Sequence, residues 1–92
     1  MSIKYNPVTL NKLEKVLDDA GYVLRYERGS FQSGYCILEN KKVVVLNKFL
    51  NVEGRINTLI DLLPALTITY ELLTTDSQKM LDAASHRQSL KL

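Results

Sequence analysis

Apolar residues recur at helical spacing soon after the chain begins, which predicts a first helix with one buried face. Asn6 is suited to cap its start with Pro7 at the first helical position, although Thr9 could cap a slightly later start. Gly21 supplies a residue that can adopt a left-handed conformation and end the helix. The apolar stripe consists of Leu10, Leu13, Val16, Leu17 and Ala20.

Three segments with strand character follow this helix. In Tyr22–Glu27 aromatic and aliphatic residues alternate with charged ones, which is typical of a strand with one wet face. Gly34–Leu38 predicts a second strand, and Asn40 is suited to the tight turn after it. Residues 43–46 read Val-Val-Val-Leu and predict a third strand that is apolar on both faces.

The rest of the chain has helical spacing. Asn51 can cap a second helix, and Pro64 is expected to kink or end it near Leu63. Thr75 and Gln78 have the spacing of a capping box for a last helix. The second helix has an apolar stripe of Val52, Ile56, Leu59, Ile60 and Leu63.

These elements predict an α+β fold in the order αβββαα, with a three-stranded antiparallel meander packed against the helices. We expect one domain over residues 1–92, with residues 86–92 frayed. In a meander the third strand lies at the sheet edge, where a strand that is apolar on both faces invites pairing with another chain. The expected core is Leu10, Leu13, Val16, Leu17, Leu24, Ile37, Val43, Val45, Ile56, Leu59, Ile60 and Leu63.

Composition narrows the functional classes. The 92 residues are 46% hydrophobic and 24% charged, which favours a folded domain over disorder. The 12 basic residues are scattered among 10 acidic ones, so nucleic-acid binding ranks last among the hypotheses. Cys36 is the only cysteine, residues 1–7 lack the apolar run typical of a signal peptide, and no apolar stretch is long enough to span a membrane. Cytoplasm is therefore the expected location.

No group of residues predicts a catalytic, cofactor or metal site. His86 has no other histidine to share a metal, and Cys36 in mid-strand favours an inert thiol. Asp18 and Asp19 are adjacent on a helix, so their side chains diverge, and both are expected to be solvated.

Part of the sequence resembles the zinc metallopeptidase family named for ImmA and IrrE. The likeness lies in residues 34–38, 42–47 and 53–59, where a strand ending in asparagine leads into a helix. In that family the helix carries an HExxH zinc motif, whereas residues 58–65 here contain no histidine or glutamate and include Pro64. The resemblance, which extends to short bacterial proteins without an assigned activity, implies a scaffold that has lost the family's zinc chemistry.

The leading hypothesis is a small non-enzymatic interaction module whose partner is a protein or a second copy of itself. Its expected contact residues are Phe31, in a polar loop, and Val44 and Leu46 of the third strand. The first alternative is a small hydrolase, or a subunit of one, that uses Asp61, Glu53 or Cys36. Weak nucleic-acid binding is the other alternative.

Overall fold

The computed structural model describes residues 3–29, 33–38 and 41–91, and for residues 35–38 and 86–91 it describes the backbone alone. Its helices are α1 (Pro7–Asp19), α2 (Val52–Leu62) and α3 (Thr75–Lys91). Its strands are β1 (Tyr22–Glu27), β2 (Gly34–Leu38) and β3 (Lys41–Asn47). Two short 3-10 turns, Leu63–Ala65 and Tyr70–Leu72, connect α2 to α3.

The sheet is mixed, so the predicted antiparallel meander is wrong. Its strand order is β1-β3-β2, with β1 parallel to β3 and β2 antiparallel to β3. Tyr22 lies opposite Lys42 at one end of the parallel pair, and Glu27 lies opposite Asn47 at the other. Because β3 is the central strand, it offers no open edge to another chain, and the outer strands are β1 and β2.

The mixed order requires the connection between β1 and β2 to pass over the end of β3. Asn47, the last residue of β3, bonds to both sides of this connection. Its side-chain Nδ2 donates to the Gly29 carbonyl at 2.8 Å, and its backbone N–H donates to Ser33 Oγ at 2.9 Å. Its Oδ1 accepts from the Phe49 N–H at 3.1 Å, which also fixes the turn after β3.

Two glycines have the backbone conformation that their positions require. Gly29 has a φ of 145° where the connection leaves β1, and Gly21 has a φ of 86° between α1 and β1. Side chains rarely tolerate such positive φ values. The chain can therefore turn sharply at both ends of β1.

The caps of the first two helices are confirmed. Asn6 Oδ1 accepts from the Thr9 N–H at 2.9 Å, and Asn51 Oδ1 accepts from the Gly54 N–H at 2.7 Å. Each side chain satisfies a backbone donor that has no partner inside its helix. None of the described helices is long and apolar enough to cross a membrane.

The core lies between the three helices and one face of the sheet. Val44 and Leu46 are fully buried in it, and burial of one such side chain contributes about 1.5–3 kcal/mol. Val43 is buried but lies outside this cluster, and Val45 is partly exposed, so these two residues belong to the opposite face. The predicted burial of Val43 is confirmed, whereas the predicted core position of Val45 is wrong because that residue is partly exposed.

Replacing Val44 by threonine should cost far more stability than the same change at Val45. Threonine has nearly the shape of valine, but at position 44 it places a hydroxyl among apolar side chains. We expect Val44→Thr to lower the free energy of unfolding by about 1–3 kcal/mol, and Val45→Thr by less than about 0.5 kcal/mol. Urea unfolding followed by circular dichroism measures both; equal losses would contradict the assigned faces.

Replacing Asn47 by aspartate tests the crossing of the connection over β3. The change turns the Nδ2 donor into a carboxylate oxygen that faces the Gly29 carbonyl. We expect the free energy of unfolding to fall by about 1–2 kcal/mol. Asn11→Asp is the matched control, since Asn11 is exposed on α1, and it should change stability by less than about 0.5 kcal/mol. Similar losses for both variants would show that Asn47 does not hold the connection.

Candidate interaction surface

The outer edge of β1 carries backbone groups that the sheet leaves unpaired. The Glu27 carbonyl accepts from the Lys48 N–H at 2.8 Å and therefore points towards β3. Backbone groups alternate in direction along a strand. Those of Tyr22, Leu24 and Tyr26 consequently point away from β3, and among the described residues no element pairs with them.

The side chains along this edge are exposed and partly apolar. Val23, the second residue of β1, is 48% exposed. Arg25 and Glu27 lie on the same face, with Arg25 Nη2 3.9 Å from Glu27 Oε2. More than half of each charged side chain remains open to solvent, so this ion pair is weak and free to rearrange.

A groove of about 410 Å³ runs beside β1 on the side of α1. Carboxylates of α1 contribute one wall, and the edge strand contributes the other. Its lining consists of Glu14, Asp18, Tyr22, Val23, Leu24 and Tyr26. We use the name "β1 edge" for the outward backbone groups of β1 together with Val23, Arg25 and Glu27.

Tyr26 anchors one end of the β1 edge to two helices. Its hydroxyl donates to Glu14 of α1, and the Arg55 guanidinium of α2 lies 4.5 Å from the ring centroid. Arg55 also donates to the Leu50 and Lys48 carbonyls at 2.9 and 3.0 Å. Burial, reinforced by the Glu14 carboxylate, raises the pKa of Tyr26 well above its usual value. The phenol therefore stays a neutral donor.

Tyr22 anchors the other end of β1. Its hydroxyl accepts from the Thr67 N–H at 2.9 Å, and the Lys42 ammonium lies 5.4 Å from its ring centroid. With both aromatic ends fixed, the edge between them is held in an extended conformation. A partner strand would thus meet an ordered edge, with little conformational entropy left to lose.

Asp19 has the most strongly bonded carboxylate among the described residues. It accepts from Lys15 Nζ at 2.8 Å, Thr74 Oγ1 at 2.9 Å and Ser77 Oγ at 2.5 Å. The Lys15 bond, with those from Ser77 and Thr74, holds the pKa of Asp19 far below its usual range. The expectation that Asp19 is solvated is therefore wrong, while Asp18 remains 78% exposed.

The Asp19 contacts join the end of α1 to the start of α3. Thr74 Oγ1 also accepts from the Ser77 N–H at 3.3 Å, so Thr74 caps α3 and the capping role predicted for Thr75 is wrong. The Gln78 amide donates to the Tyr70 carbonyl at 3.0 Å, so it reaches the preceding turn. This cluster links two helices, and its donors leave Asp19 little capacity for a ligand.

The predicted contact residues do not come together on a surface. Val44 and Leu46 lie inside the core with no exposed area to offer a partner, and Phe31 lies outside the described residues. Glu53 and Asp61 are exposed on α2, and eight residues of helix separate them by about 12 Å. The side chain of Cys36 also lies outside the described set. The described residues contain no cluster of histidine, cysteine, aspartate or glutamate that could hold a metal ion.

Sequence reasoning missed Val23 and the unpaired backbone of β1. The alternation of Tyr22–Glu27 correctly indicated one wet face, and Val23 stands on that face as its one apolar residue. The presence of valine on an otherwise charged strand face was the sequence signal that could have indicated this surface. The position of β1 at an edge depends on strand order, which its own residues do not encode.

Comparisons with protein-family models, with curated proteins and with solved structures give no match to this chain. The resemblance to the ImmA and IrrE metallopeptidases therefore stays a prediction.

Replacing Asp19 by asparagine should lower the melting temperature at neutral pH more than Asp18→Asn, the matched control next to it. Because the pKa of Asp19 is lowered by folding, its stabilisation is complete above the usual carboxyl pKa of about 4 and is lost as pH falls below it. The melting temperatures of the wild type and Asp19→Asn should therefore converge as the pH is lowered from about 6 towards 2. A difference that stays constant with pH would contradict this role.

Proposed function

We propose that this chain is a non-enzymatic interaction module that binds a second copy of itself through the β1 edge. The observation that carries the proposal is an outer strand with unpaired backbone groups and an exposed valine on its solvent-facing side. Such an edge is a template for strand addition, and natural sheets usually protect it with proline, a bulge or lysine. β1 contains no proline and no lysine, and its charged residues are the exposed Arg25 and Glu27.

Two copies can pair antiparallel about a two-fold axis, which is the commonest symmetry of soluble dimers. The register that pairs all the outward backbone groups of Tyr22, Leu24 and Tyr26 places Leu24 opposite Leu24 of the second copy and Tyr22 opposite Tyr26. In this register each Val23 stands opposite Arg25 of the other copy. A one-step shift would place Arg25 opposite Arg25, and like charges directly opposite one another are destabilising.

The paired strands would form one continuous six-stranded sheet. The two faces that no helix covers would then lie side by side, since each copy keeps its helices on the Val44 side. The outward donors and acceptors of Leu24 would be satisfied by those of the second copy. The stabilisation comes from these backbone hydrogen bonds and from burial of Val23.

The register predicts that opposite charges at position 23 weaken the dimer to different extents. Val23→Lys places a lysine against Arg25 of the other copy, and we expect the dimer dissociation constant to rise at least about tenfold. Val23→Glu removes the same apolar surface but faces that arginine with a carboxylate, so it should weaken the dimer much less. Light scattering over a wide concentration range measures both.

Leu72→Lys is the control, because Leu72 is 76% exposed and lies in the Tyr70–Leu72 turn, outside the β1 edge. It should leave the dimer unchanged. A wild-type protein that is a monomer at every concentration would refute self-association. Equal weakening by Val23→Lys and Val23→Glu would refute the proposed register, and equal weakening by Leu72→Lys would place the interface elsewhere.

A further inference from the structure

A second surface lies on the helical side of the molecule, along the line where α1 meets α3. Two adjoining depressions of about 430 and 270 Å³ share Val8, Lys12 and Asp76. The larger one extends to Met80 and Ala83 of α3. We call the two together the α1–α3 groove.

The groove has an apolar floor. Val8 is 60% exposed although it lies in a helix whose other large apolar residues are mostly buried. Met80 is 9% exposed and belongs to the core, so its side chain connects the floor to the interior. Val8 and Met80 therefore form a shallow apolar surface that faces solvent in the free protein.

The rim of the groove is basic. Lys4, Lys12 and Lys79 line it, and the structure records no salt bridge to any of them among the described residues. Lys15, at the far end, differs because it binds Asp19 at 2.8 Å. Asp76 is the one carboxylate in the lining of the two depressions. The rim therefore carries more positive than negative charge, with Lys4, Lys12 and Lys79 against the single carboxylate of Asp76.

The two helices run antiparallel along the groove. The end of α1 binds the start of α3 through Asp19 and Ser77, whereas the start of α1 faces Met80 and Ala83 further along α3. On α1 the groove residues Val8, Lys12 and Lys15 recur at four and three residues, so they form one ridge about 10 Å long. A ridge of two turns matches the spacing of apolar anchors on a helix laid into a groove.

We propose that the α1–α3 groove binds an acidic amphipathic helical segment of a partner protein. Apolar residues on one face of that segment would contact Val8 and Met80, and flanking glutamates or aspartates would pair with Lys4, Lys12 and Lys79. The charge of the rim selects an acidic partner, and the concave floor between two helices selects a helix. A flat anionic membrane fits less well, because polybasic membrane sites usually carry four to eight basic residues, whereas among the described residues only three lysines of the groove lack a recorded salt bridge.

A charge-swap experiment tests the groove on the intact chain. The probe is a synthetic amphipathic helix of about 15 residues with leucine at positions i, i+4 and i+7 and flanking glutamates, labelled for fluorescence anisotropy. We expect Lys12→Glu with Lys79→Glu to weaken its binding at least about tenfold. A second probe with the glutamates replaced by lysine should bind the double variant better than it binds the wild type. Lys48→Glu, an exposed lysine outside the groove, should leave both affinities unchanged.

Several results would overturn the proposal. One is that the acidic probe does not bind the wild type, and another is that both probes bind it equally well. An equal loss of affinity for the acidic probe in Lys48→Glu would also contradict the proposal. Binding of phosphatidylserine vesicles that depends on Lys12 and Lys79, without binding of the acidic probe, would replace the partner helix by a membrane.

Circular dichroism of the double variant should match that of the wild type. Val8→Asp, which keeps every lysine, should also weaken binding of the acidic probe.

Discussion

The connection that crosses the end of β3 determines much of the architecture. β1 ends at Glu27, and β2 begins at Gly34 on the far side of β3, two strand spacings or about 10 Å away. Asn47 holds both sides of that crossing with its side-chain and backbone donors. Because the crossing inserts β3 between its neighbours, β1 becomes parallel to β3 and its far side is left without a partner. The proposed dimer surface is thus a consequence of this short connection.

The apolar sequence of β3 explains why it occupies the centre. A strand that is apolar on both faces is most stable where neighbours flank it and side chains cover it. We interpreted the same property as an exposed edge, since consecutive strands most often pair in sequence. In the structure, Val44 and Leu46 face the helices, while Val43 is buried outside that cluster. The valine run therefore contained the information about strand order, but a meander was the simpler topology.

Features set by neighbouring residues were predictable. Asn6 and Asn51 each bond to a backbone N–H three residues ahead, and Gly21 ends α1 with a positive φ. Such signals need only the local spacing of donors and acceptors. The faces of β3 were not predictable in this way, because shifting a strand by one residue exchanges its two sides and every residue from 43 to 46 is apolar.

The sequence patterns could not predict contacts between distant parts of the chain. Asp19 bonds to Thr74 and Ser77, which lie 55 and 58 residues away, and nothing beside Asp19 distinguishes it from Asp18. The β1 edge is similar, since its free backbone depends on where β2 is placed. The candidate surfaces therefore became visible only when the elements were assembled, although Val8 and Val23 are both apolar residues at positions where the local pattern indicates solvent.

Helix α1 connects the two proposed surfaces. Its buried stripe faces the core, Glu14 and Asp18 border the β1 edge, and Val8 and Lys12 border the α1–α3 groove. One rigid helix thus separates an acidic border from a basic one, with Asp19 fixing its end against α3. The two surfaces share no lining residue. A dimer formed through the β1 edge would then present two α1–α3 grooves. A partner with two acidic segments could bind both grooves at once. The length of the linker between those segments would set the gain in affinity.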